Sequence, residues 1–137
     1  MYKRQPLYSS KESNYKVISF KKNLNNSLTN YIQNSIEVLS NENAVKSLKI
    51  SLEYNENISI ILKDSKGDPT KNRLNVVIDL SLFDNSDNLI ISKKFSESFE
   101  YNIDDNKFNL KQYEKNLKIS LVEQITEQIL AFLANIQ

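Results

Sequence analysis

The sequence predicts an α+β fold in the order β-α-β-β-β-α, a four-stranded mixed sheet with two helices packed on one face. Two observations predict it. The spacing of apolar residues switches several times between a period of two and a period of three to four. Two turn-forming stretches, one around Gly67-Asp68-Pro69 and one over Asp84-Asn85-Ser86-Asp87-Asn88, divide three consecutive alternating runs. A chain of 137 residues suits one domain better than two.

Residues 1–14 are polar and lysine-bearing, and read as a flexible lead-in to a single domain over residues 15–137. Tyr15 to Phe20 has strand character, and Lys21-Lys22-Asn23 breaks the run. Leu24, Leu28, Tyr31, Ile32, Ile36 and Leu39 then recur at helical spacing, with Asn23 as the expected N-cap. The Asn-rich outer face of this helix has modest propensity, so the helix is expected to depend on docking against a sheet. Leu48, Ile50, Leu52 and Tyr54 alternate with polar residues, and Ile58, Ile60 and Leu62 resume the pattern. This predicts one long strand with a bend or bulge at Asn55-Glu56-Asn57. Lys63 to Asn72 is a turn, and Leu74, Val76, Ile78, Leu80 and Leu82 give the cleanest alternation in the chain. Leu89, Ile91, Phe95, Phe99 and Tyr101 form a last strand, whose face Lys93 and Glu97 interrupt. A final helix runs from about Asn109 to Asn135, with Tyr113, Leu117, Leu121, Ile125, Ile129, Phe132 and Ile136 on one stripe. If the first strand lies beside the second, the first helix is a crossover, expected to be right-handed. The second sheet face is then left to solvent or a partner.

Composition narrows the function. The chain has no Cys and no His, and Gly67 is its single Gly. Thiolate chemistry, disulfides and zinc–sulfur sites are excluded, as are imidazole bases and glycine-rich phosphate loops. Lys and Arg number 18 against 17 Asp and Glu, which argues against electrostatic steering of nucleic acid. No apolar run approaches the length of roughly 18 residues that a membrane helix needs. Asn occurs 19 times and Ala three times, a bias that follows A- and T-rich codons.

Three segments carry a family resemblance: Pro6-Leu7-Tyr8; Ser65 to Leu74, with its Gly, Thr and strand-opening Arg73; and Phe95 to Asn102, leading into a helix that ends Ile129-Leu130-Ala131-Phe132-Leu133-Ala134. In order, spacing and length, from Gln5 to Ile136, the chain resembles the LptE family, lipoproteins of lipopolysaccharide (LPS) assembly. The resemblance implies a protein without enzymatic activity or cofactor. It implies a plug that supports the large LptD-type outer-membrane β-barrel and binds LPS during delivery to the outer leaflet. It also implies a lipid-bearing Cys just before Pro6, anchoring the protein in the inner leaflet on the periplasmic side of the outer membrane. That Cys is missing here and Met1 to Arg4 do not match the family, so these first residues are expected to be non-native. The alternative is another cell-envelope assembly or interaction module, pilotin-like, without LPS binding.

LPS presents phosphates, which call for Lys or Arg. The candidates are Lys63, Lys66, Lys71 and Arg73 around the Gly-Pro turn, with Lys93 and Lys94 on the last strand as a second set. The competing reading is of solvated loop and edge lysines that deter edge-to-edge pairing. Lys3, Arg4, Lys11, Lys16, Lys21 and Lys22 form another basic cluster, suited to anionic head groups or simply solvated. Tyr54 and Tyr113 read as core or core-edge residues. Asp84, Asp87, Asp104 and Asp105 read as turn and helix-start residues, since their spacing lacks the ligand order of a calcium loop. Glu53 and Asp79 fall on wet faces of adjacent strands, the one place where a two-carboxylate enzyme could be sought.

Overall fold

The computed structural model describes residues 15–136. The lead-in, the Pro6-Leu7-Tyr8 segment, and Lys3, Arg4 and Lys11 lie outside the described residues. Alternation at the first three strands and helical stripes at two segments produce β1 (Tyr15–Lys22), α1 (Ser27–Glu37), β2 (Lys46–Lys63), β3 (Pro69–Phe83), β4 (Leu89–Asn102) and α2 (Lys107–Asn135). The sheet order is β1-β2-β3-β4, with β1 parallel to β2 and the other pairs antiparallel. The predicted fold class and element order are those observed.

β3 is the spine. Leu74, Val76, Ile78, Leu80 and Leu82 all point to one face and are essentially inaccessible to water. Ile50, Leu52 and Tyr54 stand opposite Leu82, Leu80 and Ile78 on β2, and Phe95 stands opposite Ile78 on β4. α2 lays Leu121, Val122, Ile125 and Ile129 over this surface, and α1 adds Ile32 and Ile36. Each such side chain contributes about 1.5–3 kcal/mol on leaving water. Two Tyr–Glu contacts fix α2 on the sheet. The Tyr101 hydroxyl donates to Glu114 at 2.5 Å. The Tyr54 hydroxyl donates to Glu56 at 2.7 Å, and Lys118 of α2 reaches the same carboxylate at 2.6 Å. Burial, followed by the neighbouring carboxylate, pushes both phenols well above their ordinary range.

Several local expectations are corrected. Asn23 does not cap α1. Asn26 does, accepting from Thr29 N at 2.9 Å while Thr29 Oγ1 accepts from Asn26 N at 3.1 Å, a reciprocal capping box. Thr29 also donates to Leu24 O at 2.8 Å, so this fully buried hydroxyl is satisfied. The buried stripe of α1 is therefore Thr29, Ile32 and Ile36, with Leu28 half-buried; Leu24 and Tyr31 are exposed, and Leu39 lies beyond the helix. No bulge forms at Asn55-Glu56-Asn57. The β2–β3 register is unbroken from Lys49 to Ile60 and shifts only around Leu62. Glu56 stays on the helix-facing side because Tyr54 and Lys118 partner it. A bulge instead lies in β1 between Val17 and Ser19, and it lets both Val17 and Phe20 pack against the core. α2 begins at Lys107, capped by Asn106, two residues before the expected start. On β4 only Phe95 and Tyr101 of the expected stripe are buried, since α2 leaves this edge strand partly open.

The two hairpin turns share one design. Asp64 Oδ1 accepts from Lys66 N and Asp68 N, and Asp84 Oδ1 accepts from Ser86 N and Asn88 N. The fourth residue of each turn has positive φ: Gly67 at 88° and Asp87 at 67°. Gly adopts this region without strain, whereas an L-residue with a Cβ does so at a cost.

Replacing Asn26 with Ala lowers stability by about 1 kcal/mol in denaturant unfolding, since the Thr29 N–H at the start of α1 loses its side-chain acceptor. The backbone N–H of Asn88, then that of Ser86, holds the Asp84 carboxyl below its ordinary 3.8. The sign follows: this contribution is fully present above the unfolded value and is lost as pH falls through the folded one. Thermal unfolding of Asp84→Ala thus shows a shallower loss of midpoint than the parent below about pH 4; parallel acid limbs would remove Asp84 from the acid response.

Candidate functional site: the hydrophilic sheet face and its basic hairpin

All helix contact falls on one side of the sheet, so the odd-numbered residues of β2 and β3 and the even-numbered residues of β4 form an open outer face. The register lines them up in cross-strand rows: Ser51, Ser81 and Ser92; Glu53, Asp79 and Lys94; Asn57, Asn75 and Ser98; Ser59, Arg73 and Glu100. Ser81 and Ser92 share a hydrogen bond at 2.8 Å. Short hydroxyl and amide side chains dominate, so the face offers many donors and acceptors close to the backbone plane. A shallow hollow of about 600 Å³ is cut into it, lined by Asn57, Ser59, Arg73, Asn75, Ser98 and Glu100.

Arg73 is the hairpin candidate that lies in this hollow, where its guanidinium donates to Glu100. Lys63 and Lys66 are exposed toward the tip, and Lys71 is half-buried at the start of β3. Asp64 and Asp68 share the tip, but Asp64 is committed to the turn. The four residues thus form one basic end of the β2–β3 hairpin, with a paired Arg at its base.

Lys93 and Lys94 do not form a set. Successive residues of a strand point to opposite faces. Lys94 is on the outer face, 3.9 Å from Asp79. Lys93 is on the helix side, with its ammonium 5.6 Å from the Phe95 ring and 5.8 Å from the Phe132 ring. Six residues of β3 separate the positions facing Glu100 and Lys94, which puts Lys94 about 20 Å from Arg73.

The other sequence candidates fall into place. Tyr54 is buried, and Tyr113 is a core-edge residue, 43% exposed, with its ring 5.5 Å from that of Tyr101. Asp84 serves its turn, and Asp104 accepts from Asn106 N at 2.8 Å just before α2. Asp87 pairs with Lys49 at 2.8 Å. Glu53 and Asp79 stand directly opposite each other on the open face beside Lys94, and Asp79, Ser81, Ser92 and Lys94 line a shallow hollow of about 420 Å³ there. The polar residues Asn57, Ser59, Asn75 and Ser98 are not among the binding candidates the sequence offers. Each is an unremarkable wet-face residue until the register brings the four together.

No family profile matches the chain, and no curated protein resembles it closely in sequence. Solved structures do share its architecture. A minor lipoprotein from Acinetobacter baumannii superposes with a TM-score of 0.67 over 88% of this chain and 91% of that one, at 17% identity. Lipoprotein B from Nitrosomonas europaea gives 0.63 over 98% and 94%, at 12% identity. Rare lipoprotein B from Shewanella oneidensis gives 0.59 over 88% and 98%, also at 12% identity. The chain has the fold of these lipoproteins. Each match spans at least 88% of this chain and at least 91% of the other.

Proposed function

We propose that this protein is a non-enzymatic, lipid-anchored component of the cell envelope, held on the periplasmic side of the outer membrane. There it supports and plugs an LptD-type β-barrel and binds LPS during delivery to the outer leaflet. The observation that carries the reading is the division of the sheet into a largely apolar face under two helices and a face rich in Ser, Asn and paired charges. The lumen of a large barrel is polar. A plug needs its own core on one side and a hydrogen-bonding surface on the other, and the fold likeness to lipoproteins supports placing such a domain at a membrane.

In this reading the rows of short polar side chains meet lumen side chains and sugar hydroxyls. Lys63, Lys66, Lys71 and Arg73 meet phosphates, by point charge for the lysines and by a planar fork for Arg73. Glu100 competes with phosphate for that fork. Lys93 is directed to aromatic rings and contributes little, and Lys94 belongs to a separate stretch of the face.

Co-expression with the barrel protein of the same genome yields a stable complex through affinity and size-exclusion steps. Loss of the barrel at the second step would point to a transient, pilotin-like role instead. The triple variant Lys66→Gln, Lys71→Gln, Arg73→Gln weakens LPS capture about tenfold, equivalent to roughly 1.4 kcal/mol spread over three charges. Glu100→Gln, which frees the guanidinium, strengthens it. Unchanged capture in both removes the hairpin from the site.

A further inference from the structure

β2 is paired on both sides along its first half only. β1 ends at Lys22, opposite Leu52, while β2 continues to Lys63. At the next rung the carboxamide of Asn23 stands where a neighbouring strand would be. Its Nδ2 donates to Tyr54 O at 3.1 Å, and its Oδ1 accepts from Tyr54 N at 2.8 Å. An amide is thus already seated on this edge in the manner of a peptide unit. The β2–β3 register stays in phase to Ile60, so Glu56, Ile58 and Ile60 share the parity of Tyr54. Their N–H and C=O groups point away from β3 into the same lane. Among the described residues, no strand fills that lane.

The lane is unprotected. Ile58 and Ile60 are 43% and 51% exposed, and the run from Asn57 to Leu62 contains neither charge nor Pro. Edge strands ordinarily carry such guards, and β4 has Lys93, Lys94, Glu97 and Glu100. The roof of the lane is mostly cationic. A groove of about 430 Å³ between the start of α1 and α2 is lined by Lys111, Lys115 and Lys118 against one carboxylate, Glu114, and that carboxylate accepts from the Tyr101 hydroxyl. The Lys118 contact with Glu56 ties this groove to the open edge. α1 has no acidic residue in its first turn, so its positive end is not offset there.

We infer that the open half of β2 receives an extended, acidic segment of another protein as an added strand, in the lane that β1 leaves at Lys22. Backbone hydrogen bonds from Glu56, Ile58 and Ile60 hold the segment, and carboxylates on its helix-facing side meet Lys111 and Lys115. A second copy of this chain is a poorer occupant. The same edge of a copy offers Glu56 as its carboxylate, and Lys118 already holds that group. The inference goes beyond the LPS reading and does not depend on it.

The test uses the full chain and two heptapeptides. One alternates Thr with Glu, Val and Glu; the other has Lys in place of each Glu. The acidic peptide slows hydrogen exchange at the Ile58 and Ile60 amides and binds roughly tenfold more tightly than the basic one. Lys111→Gln with Lys115→Gln removes that preference. Ile58→Pro deletes an N–H that points away from β3 and abolishes the protection; the lysine pair keeps the test open if the Pro variant fails to fold. Absent protection, equal binding of the two peptides, or protection that rises with protein concentration alone would each overturn the inference, the last in favour of a second copy.

Discussion

The structure depends on the docking of α2 against the apolar side of β3. Five alternate residues of β3, from Leu74 to Leu82, are closed off from water by this contact and by the flanking strands. A 29-residue helix is about 43 Å long, so it can follow most of the length of such a strand. Helix and strand are of matched scale, and one continuous core results. The Tyr54–Glu56–Lys118 and Tyr101–Glu114 contacts lie along the same seam. They tie the N-terminal half of α2 to β2 on one flank and β4 on the other, where apolar packing alone would leave it free to roll.

One-sided docking dictates the rest. With both helices on one face, the other face is wet, and its residues are free to be Ser, Asn or charged. α1 is short and covers only the first part of β2 beside β1, so the distal hairpin extends beyond it. That leaves Ile58 and Ile60 half-open and the edge of β2 unpaired. The basic hairpin and the mostly cationic groove both lie toward this distal end, where the residues of β2 are largely exposed.

The architecture was legible because period carries it. The alternation of β3 and the stripe of α2 are long and regular, and the two turns between the strands are rich in Asp, Asn, Ser and Gly. Local chemistry was less legible. Asn23 and Asn26 are the same residue type three positions apart, and either could cap a helix. Only the position of Tyr54 on β2 shows that Asn23 belongs to the sheet. The β1 bulge hides in a run where Val17 and Ile18 are both apolar. Of the site, the cations at the hairpin could be named from the chain, but their pairing could not. The Glu100 partner of Arg73 lies 27 positions away, and the polar hollow exists only once three strands are in register.

The strands lie in the sheet in the order in which they occur in the chain. β2, β3 and β4 therefore close by neighbouring hairpins with short loops, and α2 follows directly from β4. The two hairpin pairings carry little loop-closure entropy. β1 is different: as a parallel strand it meets β2 only after α1 has been threaded across. The final rung of that closure is the single side chain of Asn23, which makes it the latch of the N-terminal unit as well as the end of the sheet.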